Sequence, residues 1–425
     1  MSTRRPLGLA IGVATATLGV LLPPSRLVAA GFDTPILYSA RHQAMGGTAI
    51  ASVDDPSAAF HNPAGLQGVK GLAFLGDFSL ILGKVKSSPD DVDTTRSIES
   101  GTVVAPFFLL GGAYRLHEWV SIGVAGFPVA SGGAEYEYPF GPFNWIDSTE
   151  IVFLEATPLV SLNIPKDKLI PGRLALGAGY RVSMVTLERR KGDPDDPQLL
   201  DLALSGANYT GFRVGAQYQP IDQLKLGVVF RNKIEINTKA DEAVAGGMQW
   251  RDAELEFTLP AKLGFGARFD VGRVGIGADV EWAFQSQNKR QVLSGTPVGT
   301  DEVETAVNVY DWQNGVTGRF GFEYRLGSPE RTIPLRAGYI IDSKVGNAAY
   351  PTAFGTPPAP THTLTAGAGY VQEHWQVNLA ASRRFGSTTI SQEDLGEGCD
   401  LCSYAGDYSM TMTGIYIDVS VDLPM

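Results

Sequence analysis

Several segments of the chain alternate between apolar and polar residues, and six basic residues lie on the polar side of these segments, where they could bind an anion. They are Arg181, Arg213, Lys262, Arg268, Arg319 and Arg336. A carboxylate ligand in a dry interior needs a cation, and an arginine guanidinium can donate two parallel hydrogen bonds to it. The same side carries the acidic residues Asp279, Glu281, Asp311 and Glu323. Two interpretations therefore stand, namely structural ion pairs and candidate ligand-binding groups.

The two cysteines, Cys399 and Cys402, lie in one loop that is rich in glycine and aspartate. In an exported chain this spacing predicts a local disulfide that closes the loop, with redox chemistry as the alternative. A metal ion would need two further ligands that the loop does not offer. We therefore expect neither a metal site nor a cofactor.

The five histidines are scattered along the chain and give no support for catalysis. His61 lies beside Asn62, but no nucleophile, base and orienting group come together around it. The sequence therefore predicts that the protein is not an enzyme.

The first 30 residues have the features of a secretory signal peptide. These features are Arg4 and Arg5, an apolar stretch from Leu7 to Leu22, and Val28-Ala29-Ala30. Cleavage near Ala30 would start the mature chain at Gly31, and an uncleaved membrane anchor is the alternative. Removing the three arginines of this segment from the 34 basic residues leaves 31 against 45 acidic ones, or about −14. That charge disfavours a nucleic-acid partner.

Most of the chain after Leu72 alternates between apolar and polar residues with the period of a β-strand. Between Arg273 and Trp282, for example, Ile276 and Val280 share one face while Asp279 lies on the other. The strands reach about 10–14 residues, whereas those of soluble proteins average about 5–6. This pattern predicts an all-β protein, a transmembrane antiparallel β-barrel with its apolar face toward lipid.

Short and long connections alternate strictly between these strands. Six short and seven long connections predict about fourteen strands, with both chain ends on the periplasmic side. The predicted long loops are Lys86–Ser100, Ser131–Ser148, Arg189–Gly206, Lys239–Arg251, Gln285–Asn308, Ser343–Pro360 and Gly386–Gly406.

Residues 31–70 lack this alternation and are rich in small residues. Three motifs stand out, Gly46-Gly47-Thr48-Ala49-Ile50-Ala51, Asp54-Asp55-Pro56-Ser57-Ala58-Ala59-Phe60 and Asn62-Pro63-Ala64-Gly65-Leu66. They resemble the N-terminal hatch of the FadL-type outer-membrane transporters of long-chain fatty acids and aromatic hydrocarbons. The signature Asn-Pro-Ala of that hatch falls on Asn62, Pro63 and Ala64. The resemblance implies a signal peptide at 1–30, a hatch or plug inside the lumen at 31–70, and a barrel at 71–425.

The resemblance also implies passive uptake of hydrophobic compounds, which bind in the lumen and then leave sideways into the membrane. Apolar contacts would come from Phe32, Leu37 and Met45, beside the six basic residues. The expected partners are fatty acid-like molecules and outer-membrane lipid, and the protein is expected to be a monomer. The alternative is a structural or secretion-associated barrel that acts as an anchor or receptor for other proteins, which the apolar run Leu199–Leu204 in a predicted loop would suit.

Lateral release in that family uses a gap at a kinked third strand, and Gly126, Phe127 and Pro128 are the candidate kink here. A proline cannot donate to the strand ladder, and a glycine nearby often marks a bend. The alternative is that Pro128 simply ends the strand. The chain departs from the family pattern at Met425, because such barrels usually end on an aromatic residue.

Overall fold

Strands account for most of the computed structural model, which describes residues 37–89, 97–194, 199–328 and 330–424. The strands are β1 (Gly71–Ser87), β2 (Ile98–Glu99), β3 (Val103–His117), β4 (Val120–Phe140), β5 (Phe143–Ile164), β6 (Arg173–Gly192), β7 (Leu200–Ile221), β8 (Leu224–Arg231), β9 (Ile234–Ala245), β10 (Met248–Leu259), β11 (Lys262–Val271), β12 (Val274–Ala283), β13 (Arg290–Pro297), β14 (Glu304–Val309), β15 (Gly315–Ser328), β16 (Arg331–Asp342), β17 (Thr361–Val371), β18 (Trp375–Ile390) and β19 (Gly406–Pro424). The predicted signal peptide, its cleavage site and Phe32 lie outside the described residues.

Fourteen of these strands close into a ring. β1 pairs with β3 on one side and with β19 on the other, so the sheet has no free edge at its ends. The ring runs through β1, β3 to β8, β11, β12 and β15 to β19, and neighbouring strands are antiparallel. β9, β10, β13 and β14 prolong four of these strands after short breaks. The predicted antiparallel barrel of about fourteen strands is confirmed.

The outward side chains of the ring form an apolar belt. On β12, Ile276 is 52% exposed, whereas Asp279 faces the interior and is buried. Phe74 and Leu364, on distant strands, are exposed in the same way. Because the backbone polar groups are paired around a closed ring, lipid is the solvent that suits this surface.

Four of the predicted long loops are largely strand, and in one of them, 285–308, β13 and β14 form the hairpin. β4 and β5 run through 131–148 and turn at Gly141, and β9 and β10 run through 239–251 and turn at Gly246 and Gly247. β6 and β7 occupy most of 189–206. These hairpins lengthen one side of the barrel at the end opposite the short turns, which we call the long-loop end.

The hairpins were predicted as loops because their pattern reverses at the long-loop end. Their outward side chains are polar, as Glu235 and Lys239 on β9 show. Their inward side chains are apolar and buried, including Leu202 and Leu204 on β7, and they join a cluster with Phe153. A rule that expects apolar residues outside therefore fails where a strand rises above the lipid.

Residues 37–70, here called the N-terminal segment, lie against the inner wall of the ring. The segment contains a short helix, α1 (Ala40–Gln43), and two 3₁₀ turns, Pro56–Ala59 and Pro63–Gly68. A proline opens each 3₁₀ turn, and the side chains of Asp55 and Asn62 cap the two turns by accepting backbone hydrogen bonds. Among the described residues, no helix is long and apolar enough to cross a membrane.

Two aspartates of the barrel hold the start of α1. The carboxylate of Asp77 accepts a hydrogen bond from the backbone amide of Ala40 at 3.1 Å. The carboxylate of Asp418 accepts one from the amide of Arg41 at 3.0 Å and one from the hydroxyl of Ser39 at 2.7 Å. Asp77 and Asp418 are register partners on β1 and β19, the strands that close the ring.

A belt of inward glycines lets the backbone of the N-terminal segment touch the backbone of the wall. The belt comprises Gly177, Gly227, Gly266, Gly321 and Gly338, together with Gly215 and Gly277, which contact the side chains of Asn62 and Thr48. A Cβ atom at Gly321 would overlap the carbonyl of Met45, and one at Gly338 would overlap the backbone of Gly46. Asp279, beside the belt, accepts hydrogen bonds from two backbone amides of the segment at 2.8 and 3.0 Å.

We expect Gly321→Val to displace the N-terminal segment and to lower the free energy of unfolding by about 1–3 kcal/mol, because the added side chain overpacks the contact. Urea unfolding of the purified barrel would measure the loss. Gly76→Val is the control, since the nearest heavy atom to a Cβ atom there is 3.8 Å away. Equal losses in the two variants would contradict a tight contact at the belt.

Candidate ligand-binding site in the barrel lumen

A cavity lies in the lumen beside the N-terminal segment, and we call it the luminal cavity. Its apolar lining comes from both the segment and the wall. The apolar residues are Leu37, Ile50, Phe60, Val129 and Val229. Leu37 was predicted as a ligand contact from the sequence, and the structure places it at this cavity.

The charged lining of the luminal cavity has more cations than anions. It comprises Arg213, Arg231, Lys262 and Arg319 together with one carboxylate, Glu281. Glu281 contacts the ammonium of Lys262 and the guanidinium of Arg319, each at 3.3 Å. The arrangement therefore favours an anionic group in an otherwise apolar space.

Arg319 has hydrogen-bonding capacity that the described residues do not use. Its side chain is 4% exposed, and its Nε atom has no hydrogen-bond partner among the described residues. A buried donor without a partner costs about 1–3 kcal/mol.

Glu155 on β5 anchors two arginines at one edge of the luminal cavity. Its carboxylate contacts Arg181 Nε at 2.7 Å and Arg213 Nη2 at 3.3 Å, and all three side chains are buried. Arg213 also donates a hydrogen bond to the carbonyl of Ala59 in the N-terminal segment. The sequence analysis missed Glu155, although a single acidic residue within the apolar run 151–162 is a signal that could have found it.

Arg268 and Arg336 belong to a separate network at the end of the barrel with the short turns. Both contact Glu323 at 2.7 Å, and Arg336 also donates to Asn378 at 2.7 Å. Of the six basic residues, Arg213, Lys262 and Arg319 line the luminal cavity. Arg181, Arg268 and Arg336 are held in ion pairs outside its lining. Asp311, predicted as an inward acid, is instead exposed in the break between β14 and β15.

His61 lines the luminal cavity as a neutral group. Burial is the main cause that lowers the pKa of His61 to about 4. The hydrogen bond that its ring makes with the carbonyl of Tyr38 opposes this shift, while the nearby Arg319 and Arg213 contribute to it. The Nε2 atom of His61 lies 2.8 Å from that carbonyl oxygen. His61 therefore adds no charge to the cavity at neutral pH.

Other predicted residues of the N-terminal segment have structural contacts. The sulfur of Met45 lies 2.9 Å from Arg268 Nη1, so Met45 faces the separate network and not the luminal cavity. The side-chain amide of Asn62 donates to the carbonyl of Ile50 at 2.8 Å. Pro63 and Ala64 begin the turn that Asn62 caps, and a Cβ atom at Gly177 would overlap them.

The third strand of the ring is β4, and its pairing with β3 stops early. The ladder runs from His117 and Val120 to Leu110 and Gly126, although both strands continue toward the long-loop end. Pro128 does not end β4, so that alternative is wrong. Instead the register with β5 shifts between Pro128 and Ala130, where β4 contains a bulge.

Beyond Leu110 and Gly126 the strands β3 and β4 are no longer paired, and we call this opening between them the gap. Three aromatic side chains lie on its inner side. Tyr38 and Phe60 of the N-terminal segment have ring centroids 5.7 and 5.4 Å from that of Phe127. The hydroxyl of Tyr38 donates to the carbonyl of Pro128 at 2.5 Å. The segment is therefore in direct contact with the strand at the point where the β3–β4 ladder ends.

The sulfur atoms of Cys399 and Cys402 are joined by a disulfide bond in the loop before β19. The bonded pair packs beside Asn308 and Val309 at the end of β14. Across the parts of the chain that the structure describes, no cluster of three or more His, Cys, Asp or Glu side chains could hold a metal ion.

The fold has counterparts among solved structures. A Pseudomonas aeruginosa FadL homologue aligns with 92% of this chain and 100% of its own, at a TM-score of 0.71 and 16% identity. The Pseudomonas putida toluene transporter TodX aligns with 93% of this chain and 100% of its own, at 0.67 and 18%. The Ralstonia pickettii toluene transporter TbuX aligns with 91% and 98%, at 0.66 and 16%. The sequence itself matches no protein-family model and no curated protein.

The apolar belt and the closed ring define a membrane-spanning β-barrel of the outer-membrane class. Within that class, the solved structures show that the fold is that of the FadL and TodX barrels. The fold that the sequence resemblance implied is therefore confirmed.

We expect Glu155→Gln to lower the free energy of unfolding by about 3–5 kcal/mol, because two buried arginines lose their carboxylate partner. Urea unfolding in detergent would measure the change. Glu254→Gln is the matched control, since Glu254 pairs with Lys239 on the exposed outer surface, where an ion pair contributes about 0–1 kcal/mol. An unchanged unfolding midpoint for the Glu155 variant would contradict this account of the network.

Proposed function

We propose that this chain mediates passive uptake of hydrophobic compounds across the outer membrane. The observation that carries the proposal is the luminal cavity, which combines apolar walls with a surplus of cations. Such a site suits an apolar molecule that ends in an anionic group, such as a fatty acid. The fold supports the same function, because the solved barrels that share it include two toluene transporters.

In this proposal the ligand leaves sideways, through the gap between β3 and β4. The ladder between these strands ends at Gly126, and Phe127 covers the inner side of the gap. An apolar molecule that leaves by this route enters lipid directly and avoids the unfavourable free energy of transfer into water. Movement of Tyr38 and Phe60 away from Phe127 would open the route from the luminal cavity.

The N-terminal segment acts in this proposal as the hatch that keeps the lumen closed to small polar solutes. A fourteen-stranded ring is wider than the eight-stranded barrels that side chains alone can fill. The contacts between the segment and the glycine belt support this role, because they hold the segment against the inner wall of the ring near the short turns.

The alternative function, an anchor or receptor for other proteins, has lost its main support. The apolar run Leu199–Leu204 was expected at the tip of an outer loop. Leu200, Leu202 and Leu204 are instead buried inside the barrel. They therefore offer no apolar surface to a partner protein.

Purified protein is expected to carry fatty acid-like molecules that mass spectrometry can detect after extraction. Labelled dodecanoate should bind in saturable fashion, and labelled toluene is the second probe, because two of the similar solved structures are toluene transporters. Heat-unfolded protein is the control for nonspecific partitioning. If neither probe binds above that control, the proposed function is wrong.

Deleting residues Gly31–Pro63 while keeping the signal peptide is expected to leave an inserted barrel that leaks small solutes, because the lumen then lacks its filling. Influx of a small hydrophilic dye into proteoliposomes measures the leak. The Gly76→Val variant serves as the intact-segment control. Unchanged dye influx in the deletion variant, with heat-modifiable mobility showing a folded barrel, would count against the hatch.

A further inference from the structure

A second cavity lies under the loop 343–360, at the long-loop end, and we call it the outer chamber. The loop joins β16 to β17 and crosses the barrel mouth to reach β4 and β6. The hydroxyl of Tyr136 donates to the carbonyl of Ala353 at 2.5 Å, and the guanidinium of Arg189 lies 4.1 Å from the ring centroid of Phe354. The loop therefore roofs the chamber from side to side.

The outer chamber differs from the luminal cavity in its charge balance. Its apolar lining includes Trp312, Val345 and Pro357. Its charged side chains are matched one to one, because Arg384 contacts Asp342 at 3.2 Å and the second pair is Lys262 with Glu281. The chamber therefore favours an apolar body without selecting for charge.

The two cavities share Lys262 and Glu281 in their linings. The ion pair that these residues form thus lies at the boundary between the outer chamber and the luminal cavity. Both side chains keep some access to these spaces, at 13% and 17% exposure. In contrast, the ion pair of Arg181 with Glu155 is fully buried.

Glu281 has a second ion-pair partner besides Lys262. Glu281 has two cations, because the guanidinium of Arg319 contacts the same Oε1 atom at 3.3 Å as the ammonium of Lys262 does. If Lys262 turns to another anion, Glu281 keeps Arg319. A lysine ammonium is a point charge on a flexible stem with rotatable donors, so it can change partners without a fixed planar geometry.

We propose that the Lys262–Glu281 pair is an exchangeable, anion-selective partition between the outer chamber and the luminal cavity. The ligand class is an amphiphile with an apolar tail and an anionic head. Its head replaces Glu281 at the Lys262 ammonium, while Glu281 stays on Arg319. A neutral molecule of the same length offers no such exchange and gains no stabilisation from Lys262. This inference rests on the proposed uptake function and adds the residue that determines selectivity.

The test compares the initial uptake rates of labelled dodecanoate and dodecanol. The assay uses intact cells of a Gram-negative host that lacks its own channel for hydrophobic compounds. Lys262→Gln is expected to lower dodecanoate uptake about tenfold and to leave dodecanol within twofold, since about 1.4 kcal/mol corresponds to a factor of ten. Lys262→Arg should keep the preference for dodecanoate, because it keeps the charge.

Glu281→Gln is a second variant, and it is expected to change the ratio of dodecanoate to dodecanol uptake in the opposite direction. It frees Lys262 from its competitor, so the ratio of dodecanoate to dodecanol uptake should rise. Lys239→Gln is the matched control, since Lys239 also pairs with a glutamate but on the exposed surface. Heat-modifiable mobility of each variant checks that the barrel is folded.

The possible results separate the two claims. Wild-type cells that take up neither probe faster than cells without the protein would overturn the proposed function and the partition with it. Uptake of both probes with an equal change for both in Lys262→Gln would overturn the partition alone, as would an unchanged dodecanoate rate. A falling ratio in Glu281→Gln would also overturn it.

Discussion

The close approach between the N-terminal segment and the glycine belt is the contact on which the rest of the structure depends. A ring of fourteen strands encloses more space than its own side chains can fill. Where the wall carries glycines, the backbone of the segment can lie directly on it, and Asp279 can satisfy amides that would otherwise be buried without partners. The luminal cavity lies beside the segment, so the path of the segment sets the position of this cavity and supplies part of its apolar lining.

Burial also dictates how the inner charges are arranged. A charge removed from water is tolerated when an opposite charge and hydrogen bonds surround it. Glu155 and Glu323 meet that condition, because each lies between arginines. The lining of the luminal cavity has four cations and one carboxylate, and Glu155 behind the lining pairs with only one of these cations, Arg213. A foreign anion is therefore favoured in the luminal cavity more than beside Glu155 or Glu323, where the arginines already have a carboxylate partner.

The sequence predicts well those properties that depend on neighbouring residues in the chain, and poorly those that depend on contacts between distant strands. Strand parity sets whether a side chain points in or out, so the inward direction of Arg213 and Arg319 followed from a period of two. The number of strands followed from the alternation of short and long connections. Which cations share a cavity depends on strand register and on the course of the segment, and neither is local. Glu155 was missed for that reason, since its role needs Arg181 and Arg213 from other strands. The outer hairpins were missed because the apolar side of a strand inverts where water replaces lipid.

Asp77 and Asp418, which bind the start of α1, connect the N-terminal segment to both the first and the last strand of the ring. Asp77 is on the first strand and Asp418 is on the last, and they stand opposite each other only once those strands have paired. Before the ring closes, either strand alone offers α1 half of its anchorage. Docking of the segment and closure of the seam therefore favour each other, by the reciprocity that links any two coupled equilibria. The seam therefore couples filling of the lumen to completion of the wall.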